Sequence, residues 1–364
     1  MSRLTVSCIL RSFRSSGKRH LILTGDRGSG KSTLLRALAR ELDLAGLPGI
    51  TTWAEKRKGV WLKEHLTGKA VEIGHFDPSL PGPENRMQPD PEALTGFGAA
   101  ALRRAAQAPR AWVSVDEIGY LETTFPAYCD AIRELLDHKR VLAAVRLQKL
   151  PFLQEICSRA DTFCINLDAP LGQQGCVIMA SGLGRRFGGN KLLADLAGKP
   201  LIQYILDATE DTFARRVVVT RHPEVAELCR AQGIEVVLHS QPWRSDTVRL
   251  GMEALGTSAL QGVMFCPADQ PLLEQDTVRA LALWGACLPG RIRRTIWQGK
   301  PGAPVLFPAW AFEELLYLPQ GKGGGAVAKQ HPDQVDFLEA CSAAELADVD
   351  RPEDLELLRQ RIKS

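Results

Sequence analysis

HLILTGDRGSGKSTLLRALAREL, residues 20–42, decides how the first half of this chain folds. HLILTG (20–25) reads as a buried strand, and KSTLLRALAREL (31–42) carries the apolar spacing of a helix. Between them Gly25-Asp26-Arg27-Gly28-Ser29-Gly30-Lys31-Ser32 satisfies G-x-x-x-x-G-K-[ST] at every fixed position. Glycines there let backbone N–H groups turn inward, where a helix start adds partial positive charge. The loop is built to receive phosphates. Gly25, Gly28, Ser29, Gly30, Lys31, Ser32 and Thr33 are the expected nucleotide contacts, with Lys31 on the β- and γ-phosphates and Ser32 on Mg²⁺.

Outward from this loop, apolar runs alternate with amphipathic ones. GVWLKEHLTGKAVEIG (59–74) reads as two strands joined at Thr67-Gly68, and PEALTGFGAAALRRAAQ (91–107) as a helix. AWVSVDE (111–117) is a buried strand, FPAYCDAIRELLDH (125–138) a helix, and VLAAVR (141–146) and TFCINL (162–167) are strands flanking a helix from Pro151. That succession predicts a mostly parallel sheet covered by helices. DAPLGQQG (168–175) reads as a linker. The alternation restarts at CVIMAS (176–181), continues through RRVVVT (215–220), IEVVLH (234–239) and GVMFCPADQP (262–271), and ends in a helix at PEDLELLRQRI (352–362). The expectation is an α/β protein of two domains, 1–170 and 174–364.

Bulk composition narrows the function classes. A net charge of +3 over 364 residues is too small to point to nucleic acid or an acidic membrane. The nine cysteines are scattered without a C-x-x-C pair, which favours buried reduced thiols over zinc or a disulfide framework. The first residues have cations but no sustained apolar core, and no long apolar run occurs, so a cytoplasmic location is expected.

A phosphate loop of this kind needs an acidic partner at the end of a neighbouring strand. WVSVDEIG (112–119) offers Asp116 for a metal-bound water and Glu117 to polarise an attacking water. No N-K-x-D or T-K-x-D follows, so the base is unreadable and ATP or GTP are equal expectations. These residues, with MQPDPEALTGFGAAALRRA and LPFLQEICSRADTFCINL, resemble the small nucleoside-triphosphatase family first described from thermophiles, over about residues 18–168. The resemblance implies Mg²⁺-dependent hydrolysis of several nucleoside triphosphates. Arg57 and Arg146 are candidates to stabilise charge in the transition state.

A second loop, MASGLGRRFGGNK (179–191), is of another design. It lacks G-K-[ST], and Phe187 breaks G-x-G-x-x-G. Its spacing resembles L-A-A-G-x-x-x-R-x-G-x-x-K of the cofactor cytidylyl- and guanylyltransferases, the MobA-like group with a Rossmann-like, GT-A-like fold. The resemblance implies nucleotide contacts at Ala180, Ser181, Gly182 and Gly184, and triphosphate contacts at Arg186 and Lys191. Nucleotidyl transfer breaks the α–β bond, so cations must neutralise charge on the α-phosphate and on departing pyrophosphate. FCPADQPLL (265–273) resembles the family's D-Q-P element, implying Mg²⁺ on Asp269, and ADVDRPEDL (347–355) implies a second carboxylate, Asp350 or else Asp348. KPGAPVLFP (300–308) and LPQGKGGGAV (318–327) resemble acceptor segments, placing Gly302, Pro304, Lys322 and Gly323 at the acceptor. SQPWRSDTVRLGM (240–252) departs from the family loop at Ser240, Asp246 and Leu250, and Gln320-Gly321 stands where Gly-Asp is usual.

The side chain at Ser181 narrows the space over the base, which suits a pyrimidine. Together with Asp269-Gln270-Pro271, the resemblance to the cytidylyltransferases of that group implies CTP-dependent cytidylyl transfer to a molybdopterin-type cofactor, with an apo-molybdoenzyme among the expected partners. GTP or another phosphorylated acceptor is the rival within the class. From another class comes a nucleotide-driven maturation or insertion factor whose second domain only binds the cofactor.

Overall fold

The computed structural model describes residues 4–80 and 86–363. Its described residues divide into two compact units, one within residues 16–170 and one within 171–363 joined by residues 4–15. The sequence reading puts residues 1–15 in the first domain; the structure groups residues 4–15 with the second. The cause is helix α1 (Val6–Ser16), absent from that reading. It buries Cys8, Ile9, Leu10, Ser12 and Phe13 along one face. Arg11 Nη1 donates to Thr277 Oγ1 at 2.7 Å and Ser12 Oγ to Ala280 O at 2.9 Å, both partners belonging to the second unit. Among the described residues no helix is long and apolar enough to cross a membrane.

The first unit is one eight-stranded sheet in the order β5-β4-β3-β2-β6-β7-β1-β8. Its strands are β1 (His20–Gly25), β2 (Gly49–Glu55), β3 (Gly59–Glu64), β4 (Ala70–Phe76), β5 (Met87–Pro89), β6 (Trp112–Ile118), β7 (Arg140–Arg146) and β8 (Thr162–Asn166). From β2 to β8 along the sheet every pair is parallel, while β2, β3, β4 and β5 form an antiparallel wing. Helices α2 (Lys31–Glu41), α3 (Ala99–Gln107), α4 (Pro126–His138) and α5 (Pro151–Ser158) cover it. β1 is buried along its whole length, as a central parallel strand should be. Ile22, Val113, Val115 and Val145 pack with Leu102, Ile132 and Leu135, each such side chain contributing roughly 1.5–3 kcal/mol of burial. The register places the chemistry: Gly25 stands beside Arg146 at one carboxyl edge, and Thr51 beside Asp116.

The second unit is a seven-stranded sheet in the order β13-β12-β9-β14-β16-β15-β17. Its strands are β9 (Gln174–Ala180), β12 (Arg215–Thr220), β13 (Glu235–Leu238), β14 (Gly262–Pro267), β15 (Ile292–Trp297), β16 (Lys300–Pro308) and β17 (Val335–Glu339), with β10 (Asp195–Leu196) and β11 (Lys199–Pro200) as a separate small hairpin. β13, β12, β9 and β14 run parallel, so Ala180, Thr220, Leu238 and Pro267 share one carboxyl edge; β16 is antiparallel to both its neighbours. Helices α6 (Leu201–Ala208), α7 (Pro223–Ala231), α8 (Arg244–Leu255) and α9 (Gln275–Cys287) follow the alternation. β15 and β17, which the sequence pattern does not reveal as strands, extend the sheet beyond β16.

Candidate active sites

At the first loop, Gly30 adopts φ 91° at the start of α2, a backbone state that a side chain would strain. Lys31 is buried, and its ammonium donates to Gly25 O at 2.7 Å and Asp26 O at 2.8 Å. Burial lowers its pKa below the usual lysine value. Ser32 Oγ donates to Asp116 Oδ1 at 2.7 Å, so the hydroxyl and carboxylate expected at one metal ion do meet. Asp116 is buried and its pKa is raised, burial outweighing the Ser32 bond.

Glu117 sits on a bulge where β6 loses register with β7, and its φ is 81°. Bulges and positive φ at a non-glycine residue re-aim side chains and cluster at functional positions. The side chain meets Arg146, whose Nε donates to Glu117 Oε1. Arg57, the other cation singled out by sequence, is exposed in the β2–β3 turn. Two residues escaped the sequence reading. Asp168, assigned to the linker, accepts the backbone N–H of Asp26 at 2.7 Å and so braces the loop. Glu122 is fully buried, accepts the Gly119 N–H at 3.0 Å, and is pushed up to about 6 by burial. Neither has a motif; only its spacing of six residues from Asp116 in DEIGYLE marks Glu122.

At the second loop, Gly184 has φ 59°, and a Cβ there would stand 2.2 Å from Gly189 O, so only glycine closes this turn. Asn190 caps the short helical turn Lys191–Leu193, which fixes Lys191. Lys191 Nζ donates to Asp269 Oδ2 at 2.6 Å, Val349 O at 2.6 Å and Asp350 Oδ1 at 3.2 Å. Burial pulls its pKa down, but the two carboxylates together push it above the usual value. Arg186 reaches Asp350 Oδ2 at 3.3 Å from an exposed position. Val349 N–H donates to Asp269 O at 2.9 Å, stitching the two carboxylate segments together. Asp348 faces Gln270 Nε2 at 2.9 Å instead. Of the two readings of the second carboxylate, Asp350 is the one that shares Lys191 with Asp269.

Ala180 ends β9, Gly182 is open, and Ser181 Oγ contacts Val219 O and His239 Nε2. The acceptor residues fall in two places. Gly302 and Pro304 lie in β16, where Arg294 Nε donates to Gly302 O at 2.6 Å. Lys322 is exposed, and Gly323 backs onto the Arg244 side chain, whose Cδ would be 2.8 Å from a Cβ there.

Residues 20–170 match the sequence model of the NTPase family, and residues 176–335 that of the MobA-like NTP transferase domain. A 3-deoxy-manno-octulosonate cytidylyltransferase of Alkalilimnicola ehrlichii is 37% identical over 110 residues, which is 29% of this chain and 42% of that protein. The enzyme of the same name from Pasteurella multocida is 36% identical over 95 residues, 25% of this chain and 37% of its own. The chain thus spans about two fifths of the length of the curated relatives it matches. Among solved structures, a nucleotidyl transferase from Methanothermobacter aligns with 52% of this chain and 98% of its own at 21% identity and a TM-score of 0.46.

Proposed function

Because this chain joins an NTPase-family domain to a MobA-like NTP transferase domain, we propose that it transfers a cytidylyl group from CTP to a molybdopterin-type cofactor, and separately hydrolyses a nucleoside triphosphate. The observation that carries the transferase reading is Lys191, held between Asp269 and Asp350 beside Arg186 at the end of a glycine turn. Two carboxylates converging on one cationic centre fit Mg²⁺, which Asp269 and Asp350 would hold; Ser32 and Asp116 fit the same ion at the first site. Bound there, Mg²⁺ supplies charge neutralisation for a triphosphate.

The acceptor's phosphate is already largely ionised at neutral pH, so no general base is required for its attack on the α-phosphorus. Arg186 and Lys191 orient the triphosphate and neutralise the charge that builds on the leaving pyrophosphate. At the first site Lys31 exchanges two backbone carbonyls for phosphate oxygens. Glu117, aimed by its bulge and held by Arg146, orients water toward the γ-phosphorus.

A second reading takes a sugar acid as acceptor, favoured by the cytidylyltransferase relatives. The test is to supply molybdenum-loaded pterin or the octulosonate with each nucleoside triphosphate and weigh the products. A pterin cytosine dinucleotide with pyrophosphate supports the first reading, and a cytidylyl sugar the second. Pyrophosphate from GTP alone overturns the cytidylyl assignment, and none from any pair overturns the transferase.

A further inference from the structure

The end of β9 is held by a hydrogen-bond chain that phosphate chemistry does not require. Gln241 N–H donates to His239 Nδ1 at 3.2 Å, His239 Nε2 lies 2.7 Å from Ser181 Oγ, and Ser181 Oγ donates to Val219 O at 3.0 Å. A ring nitrogen that accepts an N–H carries no proton, so the imidazole is neutral and its proton sits on Nε2. Nε2 therefore donates to Ser181 Oγ. Burial, then the Arg221 charge, lower the His239 pKa against Asp246, which keeps the ring neutral. The strand end is braced further by His222 Nε2 on Gly182 O at 2.8 Å and Thr220 Oγ1 on Ala180 O at 3.0 Å.

A serine hydroxyl offers one proton and two lone pairs. Here the proton goes to Val219 and one lone pair to His239. What remains is a single lone pair, which can take an N–H and has none to give.

We propose that His239 selects the base at the transferase site by fixing Ser181 as a hydrogen-bond acceptor, so that amino bases (cytosine, adenine) are preferred over their keto counterparts (uracil, guanine). The inference rests on the reading of Ala180–Gly182 as the nucleotide-contacting segment. An amino group meets the free lone pair. A keto oxygen sets lone pair against lone pair and leaves two polar atoms unpaired, a loss of about ten- to a hundredfold in affinity. His239 acts through Ser181 and is a positioning residue.

The test uses the full-length chain carrying Lys31→Ala, so that the first nucleotide site is silent. Binding of CTP, UTP, ATP and GTP is measured by calorimetry with Mg²⁺, and pyrophosphate release with acceptor present. The expected result is preference for CTP over UTP and ATP over GTP by about tenfold or more. His239→Phe removes the N–H that pins the Ser181 hydroxyl, leaving it free to turn its proton from Val219 O to a keto oxygen, and so brings both ratios toward unity; His239→Gln, whose amide N–H replaces Nε2–H, restores them. Preference for the keto nucleotides, or ratios unchanged in His239→Phe, overturns the proposal. Absence of pyrophosphate in every reaction overturns the transferase reading instead, and the binding ratios still decide the role of His239.

Discussion

Lys31 and Lys191 each follow a glycine turn at the carboxyl end of a parallel strand, and both are buried, yet they are held by different partners. Lys31 donates to two neutral backbone carbonyls, and burial lowers its pKa. Lys191 donates to two carboxylates and a carbonyl, and its pKa is raised. A buried cation held only by carbonyls is poised for an anion, because phosphate oxygens are stronger acceptors than the groups they displace. A cation already paired with two carboxylates gains less from phosphate alone, and under the proposed function a divalent ion would accompany the triphosphate there. On the proposed reading the loops are two solutions to phosphate binding, one by a cation held on neutral carbonyls and one by a charge network.

The largest expected effect breaks the pair apart. Lys31→Ala should lower nucleotide hydrolysis by about 10²–10³ and leave acceptor-dependent pyrophosphate release intact, while Asp269→Ala should do the reverse. Loss of both activities in either variant would contradict independent sites. Next in size is a stability effect confined to the first unit. Glu122, raised from 4.5 to about 6 by burial, binds a proton in the folded unit that the unfolded chain has already released. Its contribution is thus present below pH 4.5 and lost as pH rises through 6, a cost of about 2 kcal/mol at neutral pH. Glu122→Gln keeps an acceptor for Gly119 without the charge. Urea unfolding of the protein at pH 4.5 and 7.5 should show the wild-type loss in this unit shrinking by about 1.5 kcal/mol in the variant. Identical pH slopes would place the carboxyl in a wetter setting than its burial implies. The smallest effect sharpens the lysine contrast. A lysine with a lowered pKa loses its charge at a lower pH, so kcat/KM for hydrolysis should fall on the alkaline side before kcat/KM for transfer does. The opposite order would contradict the two charge environments.

Much of this could be read from the chain because phosphate chemistry restricts residue type and spacing together. G-x-x-x-x-G-K-[ST] singles out Lys31, and the resemblance of FCPADQPLL to a family element singles out Asp269, before any fold is known. Helix α1 was legible in principle, since Ile9 and Phe13 stand four apart on one face, but its packing on α9 is a long-range fact. Asp168 and His239 were not legible. Asp168 reaches the first loop because β8 lies beside β1, and His239 reaches Ser181 because β13 and β12 end level with β9. Strand order brings them to their partners, and no local pattern encodes strand order. The bulge at Glu117 is likewise a product of register between β6 and β7.

The most direct measurement follows the phosphorus atoms. Full-length protein is given CTP labelled at the α- or the γ-phosphate, with and without the pterin acceptor. Two independent sites predict γ-label appearing as inorganic phosphate in both conditions, and α-label entering the acceptor only when it is present, with γ-label then also in pyrophosphate. If α-label never leaves the nucleotide pool, or if acceptor labelling requires an intact Lys31, the account of two separate cleavages is wrong.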